Sequence, residues 1–145
     1  MKISGCRDGE RLLSYDVFRI YSSCMYHPSY EEYKAKMTRF LEDKKAEIYI
    51  CMQEDRIIGM LVLDRLQPIP VILGIAVSEK ERGKGVGRTL IRQVMDRENL
   101  KSIRAETDED AIGFYRRCGF TEEKKCVEYP DGTAVRYVCL LRREE

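Results

Sequence analysis

The segment Arg82-Gly83-Lys84-Gly85-Val86-Gly87 restricts what this chain can fold into more than any other. Three glycines at alternate positions give a backbone that can turn tightly and bring its N–H groups close to a ligand. The segment follows an apolar run, Val71-Ile72-Leu73-Gly74-Ile75-Ala76-Val77. It leads into a helical pattern that places Val86, Leu90, Ile91, Val94 and Met95 on one face. The first N–H groups of such a helix have no partner inside it, and that end carries a partial positive charge. No Ser, Thr, Asp or Asn stands where its N-cap would be, which leaves those donors for something anionic. Arg82, Lys84 and Arg88 add cations at the rim. The segment reads as a cradle for a phosphate or pyrophosphate. The alternative is a strand-to-helix turn with no ligand.

Two common phosphate-binding loops do not fit. A Walker A loop started at Gly83 needs Gly-Lys where this chain has Arg88-Thr89. A dinucleotide fingerprint started at Gly85 meets Leu90 in place of its last glycine, and started at Gly83 it finds that glycine one place early. The pattern that does fit is R-x-x-G-x-G, at Arg82, Gly85 and Gly87.

The run 71–77 is apolar on both faces, which predicts a central strand. Gly74 within it predicts a bulge or a close backbone approach. Upstream, a short opening strand is expected at 2–4. Leu13, Val17, Ile20, Tyr21 and Cys24 recur at helical spacing until Pro28 interrupts them. Ser29-x-x-Glu32 forms a capping box that opens a second helix with Tyr30, Tyr33, Met37, Phe40 and Leu41 on its apolar face. Strands 46–52 and 57–63 flank a hairpin turn. Downstream, a strand at 102–106 is followed by Thr107-x-x-Asp110, an N-cap pattern for a short helix carrying Ala111, Phe114, Tyr115 and Cys118 on one side. Gly119 stops that helix, and a hairpin of strands 120–129 and 134–141 closes the chain. The expected order is βααβββαβαββ, a mixed α/β (α+β) fold in one domain over residues 1–145.

Charge is nearly balanced, 26 basic against 25 acidic side chains, so composition gives no case for nucleic acid or an anionic membrane as partner. No apolar run approaches the ~20 residues that span a bilayer, and a cytoplasmic location is expected. The six cysteines form no C-x-x-C pair and His27 stands alone, so no metal is expected and free thiols are favoured over disulfides.

The turn R-x-x-G-x-G resembles the pyrophosphate-binding signature of the GNAT superfamily of N-acetyltransferases. A second segment supports the resemblance: Ala111-Ile112-Gly113-Phe114-Tyr115-Arg116-Arg117-Cys118-Gly119-Phe120 has the core Ala-x-x-Phe-Tyr-x-x-x-Gly-Phe, similar to the second signature of that family. The likeness is strong over about 70–120 and looser outside it. It implies a mostly antiparallel sheet flanked by helices, with acetyl-CoA as co-substrate. It implies that Ile75, Ala76 and Val77 offer their backbone to the pantetheine arm, and that Arg82, Gly83, Lys84, Gly85, Val86, Gly87 and Arg88 receive the pyrophosphate. It also places Tyr115 beside the thioester. Where many members have Asn this chain has Asp108, which when ionised accepts hydrogen bonds and donates none. Asp108 is thus either a cofactor contact or a helix cap.

Acetyl transfer to a primary amine asks for removal of a proton from the amine and a proton donor for the departing thiolate. Tyr115 is the candidate acid. Glu106 is the candidate base, directly or through water, and Glu79 is a second candidate; either is alternatively a solvated surface charge. Direct transfer with both substrates bound is expected, by a monomer or homodimer. The alternative from another class is a non-catalytic acyl-CoA-binding sensor or interaction module. The acceptor amine is left open: peptide N-terminus, polyamine, amino acid or aminoglycoside.

Overall fold

In the computed structural model, which describes residues 1–144, the apolar run becomes β4 (Val71–Val77). It is preceded by β1 (Lys2–Gly5), α1 (Gly9–Leu12), α2 (Tyr15–Tyr21), α3 (Tyr30–Glu42), β2 (Ala46–Gln53) and β3 (Arg56–Asp64). It is followed by α4 (Val86–Arg97), β5 (Ser102–Thr107), α5 (Ile112–Arg117), β6 (Thr121–Tyr129) and β7 (Gly132–Arg142). The seven strands form one sheet in the order β1-β2-β3-β4-β5-β7-β6, so β4 takes the central place that its apolar faces demand. Every pairing is antiparallel except that between β4 and β5. None of the helices among the described residues is long and apolar enough to cross a membrane.

Helices cover both faces. On one side α4 buries Val86, Leu90, Ile91, Val94 and Met95, all at helical spacing, and α5 adds Ile112 and Tyr115. Removing each large aliphatic side chain from water contributes about 1.5–3 kcal/mol. On the other side α1, α2 and α3 pack Leu12, Val17, Tyr21, Tyr33 and Met37 against Ile48, Met60 and Ala76. Ser29 caps α3, its Oγ accepting from the Glu32 N–H at 3.2 Å.

Three local expectations need correction. The helix expected through Leu13 and Cys24 is broken into α1, α2 and a 3₁₀ turn, Ser22–Cys24. The break falls at Ser14, whose side chain accepts from the Val17 N–H at 3.4 Å and starts a new helix. The cap of α5 is not Thr107, which is paired with Tyr137 inside β5 and buried. The N-cap position is Ala111, with no side-chain cap, and Asp108 closes the turn before it, its Oδ1 accepting from the Ala111 N–H at 3.0 Å. Finally, Ala111 is exposed, and Ile112 takes the buried position on the inner side of α5. Gly119 ends that helix with φ +94°, as its sequence position predicts.

Candidate active site

The sheet opens at β4. Beside β3 the register runs Gly59↔Val77 to Val62↔Gly74, then shifts to Leu63↔Ile72, which leaves Leu73 as the extra residue of a bulge. On its other edge β4 pairs with β5 only at Val71↔Arg104 and Ile72↔Ala105. Beyond Ile72 the two strands part, and the edge of β4 through Ile75, Ala76 and Val77 faces a gap rather than a neighbour. Ile75 and Val77 turn their side chains toward the α4 core, and Ala76 is buried on the opposite face. Their backbone, not their side chains, lies along the unpaired edge.

Gly74 satisfies both readings that its sequence position allowed. It sits at the bulge, and it admits a close approach: a Cβ there would lie 2.1 Å from Tyr21 Oη and 2.8 Å from its Cζ. The contact between Tyr21 and Gly74 is what sequence reasoning missed. The spacing of Tyr21 marked it as a helix-face residue, and nothing in the sequence pairs it with Gly74.

At the C-terminal end of β4 a 3₁₀ turn, Glu79–Glu81, delivers the chain to the glycine segment. Gly83 and Gly85 have φ of +80° and +79°, conformations that side chains rarely adopt. Gly85 is the N-cap of α4 and no side chain caps the helix. The first helical bond runs from the Thr89 N–H to the Gly85 carbonyl at 3.0 Å. The N–H groups of Val86, Gly87 and Arg88 precede it and have no partner within the helix. Gly83, Lys84, Gly85 and Arg88 are exposed, so the donors open to solvent beside cations. Val86 and Gly87 are buried and contribute backbone only. Arg82 is exposed but tethered, its Nε donating to the Val77 carbonyl at 3.2 Å. Lys84 Nζ lies 3.2 Å from Glu81 Oε2.

Tyr115 is buried on the α4–α5 side of the sheet. Its ring packs edge-on against Phe114 and Phe120, and only 7% of the residue is exposed. Its hydroxyl has no hydrogen-bond partner among the described residues. Yet among the described residues no buried side-chain oxygen or nitrogen is left unpaired. The Tyr115 hydroxyl therefore opens to solvent from an otherwise buried ring. Burial pushes this phenol above its ordinary range, with Cys139, Cys24 and Cys118 adding to the effect. It stays protonated and able to donate.

Glu106 is on β5 past the point where β4 and β5 part, exposed, with its carboxylate 3.7 Å from Arg104. Glu79 is exposed in the 3₁₀ turn before the glycine segment. Asp108 is exposed, with one carboxylate oxygen engaged by the Ala111 N–H. All six cysteines are free thiols; Cys51, Cys118 and Cys139 are buried, and burial raises each of those three.

The model of the acetyltransferase (GNAT) family matches residues 14–120, a span that includes the gap, the glycine segment and Tyr115. No curated protein sequence matches the chain. Among solved structures, the ribosomal-protein-S18-alanine N-acetyltransferase of Escherichia coli superposes with a TM-score of 0.72 at 16% identity, over 99% of this chain and 94% of the other. A GNAT family acetyltransferase from Elizabethkingia anophelis with acetyl-CoA bound gives 0.68 at 18% identity, over 98% and 97%. A candidate streptothricin acetyltransferase from Bacillus anthracis, in complex with acetyl coenzyme A, gives 0.61 at 26% identity, over 74% and 68%.

Proposed function

This chain belongs to the acetyltransferase (GNAT) family, and we propose that it moves the acetyl group of acetyl-CoA to a primary amine by direct transfer while both substrates are bound. One observation carries the reading. The uncapped N-terminus of α4 and the unpaired edge of β4 are adjoining features of one site, tied together by Arg82 on the Val77 carbonyl. Unpaired helical N–H groups suit a pyrophosphate. An unpaired strand edge suits an extended amide-bearing arm, which adds to it as a strand would. Acetyl-CoA has both parts in that order, and the neighbours solved with acetyl-CoA support the assignment.

In this reading Gly83, Lys84, Gly85, Val86, Gly87 and Arg88 receive the pyrophosphate, and Ile75, Ala76 and Val77 receive the pantetheine arm. The thioester then reaches the gap where the Tyr115 hydroxyl opens. The amine nitrogen attacks the thioester carbon, the C–S bond breaks, and Tyr115 supplies the proton that the CoA thiolate takes up. Holding both reactants in the gap provides most of the acceleration. In the same reading Glu106, exposed on the diverging strand, takes the amine's proton through water. Asp108 serves by closing the turn that leads into α5, which carries Tyr115.

The test is release of CoA thiol from acetyl-CoA in the presence of a polyamine, an amino acid, an aminoglycoside and a peptide with a free N-terminus. At least one amine should raise release well above the rate in water. Tight binding of acetyl-CoA with no amine-dependent release would make the chain a binding module instead.

A further inference from the structure

The sheet ends on two unlike edges. β1 is only four residues long, whereas β6 runs for nine, from Thr121 to Tyr129. Every residue of β6 is exposed except Val127, which is half-buried. Among the described residues β7 is its only strand neighbour. We propose that the free edge of β6 pairs antiparallel with the same strand of a second copy of this chain, about a two-fold axis at Cys126, so that one sheet runs through both copies. The inference stands apart from the acetyl-transfer reading: β6 lies outside the residues that the family model matches.

The ladder shows which main-chain groups are free. The Arg143 N–H donates to the Lys101 carbonyl at 2.8 Å, in step with the pair Ser102↔Arg142 of β5 and β7. Odd-numbered residues of β7 therefore aim their main chain at β5, and even-numbered ones aim theirs at β6. Through the pairs Lys125↔Arg136 and Val127↔Ala134, the odd-numbered residues of β6 bond to β7. That leaves the N–H and C=O of Glu122, Lys124, Cys126 and Glu128 directed outward along the edge.

Charge selects the partner and the register. The side chains of those four residues share the α5 side of the sheet, since Lys124 stands beside the buried Tyr137 and Glu122 beside the buried Cys139. Glu122 is already held by Arg116, whose Nε lies 2.5 Å from Oε1. Among the described residues Lys124 and Glu128 have no ion-pair partner within the chain. Their neighbours on β7 are Tyr137 and Thr133.

A two-fold axis normal to the sheet sets one residue opposite its own counterpart. Centred on Glu122, Glu123, Lys124, Lys125 or Glu128, it opposes like charges, which is unfavourable. Centred on Thr121, Val127 or Tyr129, it forms no ion pair within the strands. Centred on Cys126, it sets Lys124 opposite the partner's Glu128, and Glu128 opposite the partner's Lys124. Lys125 then meets the partner's Val127, Glu123 meets the partner's Tyr129, and no like charges are opposed. Pro130, without an N–H, ends the pairing. Charges along an edge deter strands of other sequence. Here they fit a second copy of the strand in one register.

Sedimentation equilibrium of the parent chain at micromolar concentrations should show a monomer–dimer equilibrium. Lys124→Glu or Glu128→Lys alone puts like charges opposite each other on both sides of the axis and should weaken dimerisation about tenfold or more. The two substitutions in one chain exchange the charges and should restore it. Both positions are exposed, so far-UV dichroism of each variant should match that of the parent. A water-soluble carbodiimide tests the register in the parent chain itself, which should yield a covalent dimer joined from Lys124 of one copy to Glu128 of the other. A parent that stays monomeric, single variants as dimeric as the parent, a double variant that is not restored, or dimers without the Lys124–Glu128 link would each overturn the proposal.

Discussion

The ring of Phe114 occupies the space over the α-carbon of Gly87: a Cβ there would lie 2.7 Å from Cε1 and 2.8 Å from Cζ of that ring. This contact joins the first turn of α4 to α5, and so joins the glycine segment to the helix that carries Tyr115. It makes Gly87 a packing glycine. Gly87→Ala should cost about 1–3 kcal/mol, because overpacking a rigid aromatic contact exceeds the helix-propensity gain of about 1 kcal/mol. Thermal or urea unfolding reads the loss; a variant as stable as the parent would show that Phe114 moves aside freely.

Gly85 presents the opposite case. Nothing lies within 4 Å of a Cβ placed there, but φ is +79°. Gly85→Val should therefore leave a folded protein, weakened by about 1–3 kcal/mol of backbone strain. The turn will relax toward negative φ and swing the free N–H groups out of line. Affinity for acetyl-CoA should fall about a hundredfold or more, equivalent to roughly 3 kcal/mol. Unchanged affinity would make the turn merely structural.

Tyr115→Phe keeps the ring packed between Phe114 and Phe120 and removes only the hydroxyl. With an amine that supports turnover, kcat should fall about a hundredfold or more, with little change in acetyl-CoA affinity or in stability. Normal turnover would remove Tyr115 from the chemistry and leave water to protonate the thiolate.

Tyr21, Tyr33, Tyr49 and Tyr115 are buried, and desolvation raises each phenol above its ordinary value of 10.0. As pH climbs, the unfolded chain gives up these protons before the folded chain does. Their contribution to stability is thus fully present below about pH 10 and is lost above it, by about 1.4 kcal/mol per pH unit for each phenol. Urea midpoints should fall steeply above about pH 10. A flat profile to about pH 11.5 would mean that these hydroxyls ionise in the folded protein as readily as in water.

The glycine segment and the central strand were legible in the sequence because each answers a local requirement. Positive φ at Gly83 and Gly85 needs glycine, and a strand covered on both sides needs apolar residues on both faces. Tyr115 was legible only through its place in a signature. The contacts Tyr21–Gly74 and Phe114–Gly87 were not legible, since each joins segments far apart in the chain and shows only as a missing side chain on one partner. The start of α5 was placed too early because Thr107 and Asp108 are both good cap types, whereas the helix begins after Ala111 with no side-chain cap. Pairing of Thr107 with Tyr137 extends β5 and leaves Asp108 to close the turn before α5. The break at Ser14 was hidden because Leu13 and Val17 keep helical spacing across it.

Titration of the parent chain with acetyl-CoA, ATP and NAD in parallel addresses the central claim most directly, the proposal that the open edge of β4 and the uncapped end of α4 together select a pyrophosphate carrying an extended amide arm. Acetyl-CoA should bind at one site per chain, and neither ATP nor NAD should bind at comparable concentration. Binding of ATP or NAD with none of acetyl-CoA would contradict it.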